Sequence, residues 1–141
     1  MNETDIFFMR AALQEAQRAY EIGEIPVGAV LVGQGRILVR GHNRTQGLDD
    51  VTAHAELVAL SGWPVKYLPE CTLYVTLEPC PMCAGALYWA QLGRLVYGAS
   101  DDKRGYSRHQ PTLLHPRTRV TAGILGVESS RLLRQFFGQL R

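Results

Sequence analysis

Two short segments, His54-Ala55-Glu56 and Pro79-Cys80-Pro81-Met82-Cys83, constrain this chain more than any other feature. One imidazole and two thiolates suit Zn²⁺, which takes nitrogen and sulfur donors in a tetrahedron. For the three to share one ion, the stretch that starts at His54 must fold against the stretch that starts at Cys80. Three protein ligands leave the fourth corner open, and an open corner marks a catalytic zinc rather than a structural one. Glu56, two residues from His54, offers a carboxylate base for water in that corner.

The spacing also predicts local structure. Cys80 and Cys83 at i and i+3 across a helix start turn both sulfurs to one side. The positive end of such a helix favours thiolates, and Pro81 near its first position breaks no hydrogen bond. His54 also lies near an expected helix start. In an ideal helix residues i and i+2 point about 200° apart, so His54 and Glu56 reach one centre only from an irregular first turn. The third cysteine, Cys71, begins a strand read over 71–77. At about 3.3 Å per residue it lies roughly 20 Å from the strand end that leads to Cys80, so it reads as an inert, buried thiol.

With 141 residues, 46% hydrophobic and 20% charged, the chain has the make-up of one soluble domain, residues 1–141, able to bury a core without disulfides. No apolar run approaches the roughly 20 residues of a membrane span. The acidic start, Met-Asn-Glu-Thr-Asp, is unlike a signal peptide. A cytoplasmic protein with no membrane partner is therefore expected. The net charge of +2 is unevenly spread: residues 1–93 hold 6 basic and 10 acidic residues (net −4), and residues 94–141 hold 9 and 3 (net +6). The basic final third is either a phosphate-binding surface or a solvated arginine-rich face.

Along the chain, Ile6, Met9, Leu13, Ala16 and Tyr20 form a helical stripe, with Thr4 as N-cap and Gly23 as terminator. Val27 to Val32 and Arg36 to Val39 read as a hairpin around Gly33-Gln34-Gly35. Residues 40–51 read as a loop, Thr52 to Ser61 as a helix with Leu57 and Leu60 inward, and 81–92 as a helix carrying Met82, Ala86 and Trp89. Arg94 to Gly98 is a fourth strand. Residues 99–117, with Pro111 and Pro116, form a charged loop. Val120 to Ala122 is a fifth strand, and Glu128 to Leu140 the last helix. This order implies an α/β fold with a mixed sheet, hairpin at one side and parallel strands at the other, with helices on both faces. His42 reads as surface or hydrogen-bonded, His109 and His115 as exposed, and Tyr88 and Trp89 as core or subunit-interface residues.

The joint H-x-E and P-C-x-x-C pattern is the signature of zinc nucleobase deaminases. Beyond it, residues 52–60 and 72–87, Ile25-Pro26-Val27-Gly28-Ala29-Val30, Gly41-His42-Asn43-Arg44, Gly98-Ala99-Ser100-Asp101, Gly123-Ile124-Leu125 and Phe136-Phe137 resemble the bacterial tRNA-specific adenosine deaminases of the cytidine/deoxycytidylate deaminase superfamily. The resemblance implies a cytidine-deaminase-like three-layer α/β/α sandwich with a five-stranded mixed sheet and a homodimer. It also implies conversion of adenosine to inosine at the wobble position of a tRNA anticodon stem-loop. Carried over by position, His54, Cys80 and Cys83 would hold one Zn²⁺ per subunit, and Glu56 would shuttle protons. Asn43 would hydrogen-bond the flipped base, Ile25 and Val27 would wall its pocket, and Asp101 would contact a ribose hydroxyl. Phe136 or Phe137 would close the cleft. The loop after Asp101, Asp-Lys-Arg-Gly-Tyr-Ser, departs from the Gly/Ala-rich run typical of the family.

Two other functions fit the zinc motif. One is a deaminase of a free base or nucleoside, of the guanine or cytosine kind, which would not need the basic final third. The other is a non-catalytic zinc subunit that binds RNA, for which Glu56 would have no use.

Overall fold

The computed structural model describes residues 2–109 and 113–139. Helix α1 spans Glu3–Glu21; strands β1 (Gly28–Gly33) and β2 (Arg36–His42) follow, then α2 (Ala55–Ser61), β3 (Thr72–Leu77), α3 (Pro81–Trp89) and β4 (Arg94–Ala99). A short 3₁₀ turn (Tyr106–Arg108), β5 (Arg119–Ala122) and α4 (Gly126–Gln139) complete the order. The five strands form one sheet, β2-β1-β3-β4-β5. β1 is antiparallel to β2 and β3, whereas β3–β4 and β4–β5 are parallel. The expected mixed sheet, hairpin at one side and parallel strands at the other, is the one observed.

The two-residue period of the central strands builds two cores. Val30, Val32, Tyr74 and Val96 face one way and pack with Phe8, Met9, Ala11 and Ala12 of α1. Ala29, Leu31, Leu73, Val75, Leu95 and Tyr97 face the other way, against Ala55 and Ala59 of α2 and Ala84 and Leu87 of α3. All six residues of β1 are buried, as expected of a strand covered on both faces. The result is the three-layer α/β/α arrangement. At Gly28 a Cβ would lie 2.0 Å from the Ala12 carbonyl oxygen, so only glycine lets α1 approach β1 this closely. The hairpin turns through Gln34 and Gly35, both at positive φ, the backbone of the tight turns that match strand twist.

Several local expectations shift. The N-cap of α1 is Asn2 rather than Thr4: its side chain accepts from the Thr4 and Asp5 amides, which Thr4 could do only by giving up helical backbone. Gly23, at positive φ, ends the helix as expected. Strand β2 continues to His42, so part of the expected 40–51 loop is sheet. α2 begins at Ala55 rather than Thr52, and α3 ends at Trp89 rather than 92 because the chain turns through Gln91 at positive φ. The inward face of α3 is Cys83, Ala84 and Leu87; Met82 and Trp89 face solvent, Trp89 being 76% exposed. Tyr88 is exposed too, so neither aromatic is core. Pro111 and Leu140 lie outside the described residues. His42 is hydrogen-bonded, its Nδ1 3.0 Å from Oε1 of Glu15, and His115 is half-buried rather than exposed, its ring tilted against that of Tyr88 with centres 5.6 Å apart.

Candidate metal centre and active site

His54 and Cys80 are the residues that cap α2 and α3, both with extended backbone. As caps they lie outside their helices, which removes the 200° conflict: His54 precedes the first helical turn and Glu56 lies within it. The two helix starts meet. His54 Nδ1 is 3.6 Å from the Cys80 sulfur and 3.5 Å from the Cys83 sulfur, and all three ligand atoms lie within 4.8 Å of one another. Zinc with Zn–N of about 2.0–2.1 Å and Zn–S of about 2.3 Å gives a tetrahedral N···S edge of roughly 3.6 Å. The donor set and its spacing therefore fit Zn²⁺. Cys71 stands apart from the cluster and is half-buried rather than buried, lining a cavity with Trp63 and Leu68; partial burial still pushes its thiol pKa up.

The electrostatics of the cluster are unequal. The Cys83 thiol and the His54 ring hold Cys80 as a thiolate, its pKa brought down to about 4 despite partial burial. Cys83 is pushed upward, first by the hydrogen bond to Cys80 and then by burial. His54 is pushed up by its hydrogen bond to Cys80. A dication among these groups relieves both the second thiol and the imidazole, since it stabilises thiolate and neutral imidazole together. Glu56 is 4% exposed, and burial raises its carboxyl to about 7.

Asn43 joins the residue before β1 to the start of α2. Its backbone amide donates to the Val27 carbonyl at 3.1 Å, and its side-chain oxygen accepts from the Ala55 amide at 2.9 Å. With the oxygen so held, the side-chain NH₂ is the group left to meet a ligand. Val27 is buried in the core beside it. Ile25, Asp101 and Phe137 come together elsewhere, with Leu77, Asp102, Lys103, Arg104, Ser100 and Leu133, around an open groove of about 600 Å³. Leu77, in the groove lining, ends β3, three residues before Cys80 in the chain. Phe136 is not in the groove lining; it is buried and packs edge-on against Tyr20, ring centres 5.8 Å apart.

Residues 2–99 match the family model of the cytidine and deoxycytidylate deaminase zinc-binding region. This chain belongs to that deaminase family. A tRNA-specific adenosine deaminase of Agrobacterium fabrum is 46% identical to it, over 95% of this chain and 94% of the relative. The tRNA-specific adenosine deaminase of Bacillus subtilis is 41% identical, over 97% and 91%. A solved structure from work on A-to-I editing by tRNA deaminases at the wobble position superposes with a TM-score of 0.84 at 44% identity, over 90% of this chain and 99% of that one. A guanine deaminase from Nitrosomonas europaea shares the fold, with a TM-score of 0.79 at 24% identity, over 94% and 84%.

Sequence reasoning missed two buried carboxylates. Glu24 accepts from the Gln46 and Gly47 amides and from the Thr45 hydroxyl. Glu78 does the same for residues 101–107. Each lies 21 or more residues from its partners, beyond any local pattern. The one available signal was a glutamate abutting Pro79-Cys80, next to a metal ligand.

Proposed function

We propose that this protein hydrolyses adenosine to inosine, with release of ammonia, at the wobble position of a tRNA anticodon. The observation that carries the reading is the open groove of about 600 Å³ at the end of β3, edged by Lys103 and Arg104 as well as by Asp101 and Asp102. A polynucleotide needs an open channel with cations along it, and a free base does not. The 41–46% identity over nearly the whole length with tRNA-specific adenosine deaminases supports the same substrate.

His54, Cys80 and Cys83 would hold the zinc, which when bound supplies the Lewis acidity that makes water a nucleophile near neutral pH. Glu56 takes a proton from the attacking water and delivers it to the ring nitrogen; it then takes the second proton, from the hydroxyl now on the ring carbon, and passes it to the departing amine, so that ammonia leaves as the carbonyl of inosine forms. Asn43 donates its side-chain NH₂ to the base. Asp101 accepts from a ribose hydroxyl, and Ile25 and Phe137 flank the nucleotide in the groove. Val27 backs the pocket from the core, and Phe136 supports Phe137 from behind, the two rings 5.5 Å apart.

Zinc-loaded protein incubated with an anticodon stem-loop carrying adenosine at its first anticodon position should produce inosine. Ammonia release from guanine or cytosine, with no inosine in the RNA, would establish the free-base reading instead.

The same reading includes a cytoplasmic homodimer. Its support is the exposed apolar face of α3, where Met82, Tyr88 and Trp89 cluster as docking patches do. Sedimentation should give twice the chain mass, falling to the monomer on Trp89→Glu; a monomeric parent protein would refute the dimer.

A further inference from the structure

We infer that Glu78 is a positioning residue for RNA: it clamps the 101–107 loop onto the turn that carries the zinc ligands. The inference rests on the proposed role of Asp101 in binding the substrate. Glu78 immediately precedes Pro79-Cys80 and is 4% exposed. Its Oε1 accepts from the Asp101 amide at 3.0 Å. Its Oε2 accepts from the Ser107 amide at 3.0 Å and from the Ser107 hydroxyl at 2.6 Å. The Tyr106 amide donates to the Pro79 carbonyl at 2.9 Å, so the loop is tied to consecutive residues of the metal-binding turn. The fit is close: a Cβ on Gly105 would lie 2.4 Å from the Glu78 carboxylate.

What the clamp holds is the wall of the groove. Asp101 Oδ1 accepts from the amides of Lys103 and Arg104, and the Asp101 carbonyl accepts from the Gly105 amide at 3.0 Å. One carboxylate oxygen of Asp101 is thus committed to shaping the turn, which leaves the other for a ribose hydroxyl. The same turn sets Lys103 and Arg104 along the groove. Glu78 touches neither base nor metal in this arrangement. It fixes the distance between the reacting centre and the groups that grip the strand, so its loss should weaken binding of the polymer and leave the chemical step intact.

The test is Glu78→Gln, which keeps the size but turns one acceptor oxygen into a donor facing an N–H. The expected result is one zinc per chain, faster hydrogen exchange at the Asp101 and Ser107 amides, and a stem-loop KM raised about tenfold with kcat within about twofold, the scale of losing a charge-assisted hydrogen bond. Ser107→Ala, at an exposed position, removes one of the three bonds with little risk to folding and should raise KM about threefold. Gly105→Ala, which pushes on the carboxylate from the loop side, should shift KM in the same direction. Unchanged amide exchange, unchanged KM, or a loss confined to kcat would overturn the clamp. Failure of the parent protein to make inosine would overturn the substrate reading instead, and the exchange measurement would still decide whether Glu78 orders the loop.

Discussion

At the scale of single residues, the chemistry depends on side chains that burial has tuned. Glu56, buried with its carboxyl raised to about 7, lies beside the His54, Cys80 and Cys83 cluster. Glu56→Gln is therefore expected to keep its zinc while losing about 10²- to 10⁴-fold in turnover, the usual contribution of a general acid–base group. Single-turnover assays with metal analysis check this; loss of the metal, or nearly full activity, would contradict the assignment. The ligands and Glu56 were legible because the reaction restricts residue type and spacing. Glu78 and Glu24 were not, because a carboxylate that accepts backbone amides looks in sequence like any surface glutamate.

At the scale of elements, helix starts and close approaches set the site. The expected α2 began at Thr52, and three residues of difference decide whether His54 is a helical residue or a cap. The Asn43 side chain settles it by accepting from the Ala55 amide, a bond that no periodicity within 52–61 could foretell. The buried face of α3 was not legible in the sequence for a related reason. Its hydrophobic residues run all round the helix, so which face turns inward is decided by Cys83 and the core, not by pattern. Gly28 shows how tightly α1 is held against β1. Gly28→Ala should cost about 1–3 kcal/mol or more through overpacking against backbone that cannot rotate away. Urea denaturation measures it, and an unchanged midpoint would show that α1 can slide.

At the scale of the whole molecule, Asp5 ties the first helix to the parallel strands β3 and β4 of the sheet. Its carboxylate takes two hydrogen bonds of 2.7 Å from Arg94 on β4 and one of 2.7 Å from the Tyr74 hydroxyl on β3. The Arg94 hydrogen bonds hold its pKa below the ordinary 3.8 against the opposing effect of burial. A depressed folded-state pKa means that this stabilisation is fully present above 3.8 and is lost as pH falls through the lower folded value. Asp5→Asn should therefore destabilise the protein at neutral pH by about 3 kcal/mol, since it leaves Arg94 half-buried without its counter-charge. The gap between variant and parent should narrow as pH falls below 3.8. Thermal melts across that range test it, and a gap independent of pH would refute the ionic origin.

The order of elements, the mixed sheet with helices on both faces and the His54, Cys80 and Cys83 candidates for a metal could all be read from the chain itself. Burial patterns repeat with the periods of strand and helix, and zinc accepts few donors. What only the tertiary structure decided was the placement of the proposed substrate residues: Ile25, Asp101 and Phe137 in one groove, Phe136 buried outside it, and Glu78 beneath the 101–107 loop. Those placements depend on contacts between segments far apart in sequence, each worth little alone, which exist only once the sheet has brought the segments together. The half-motifs at His54 and Cys80 thus announced a reaction, and the folded chain around them arranged the surface that selects what reacts.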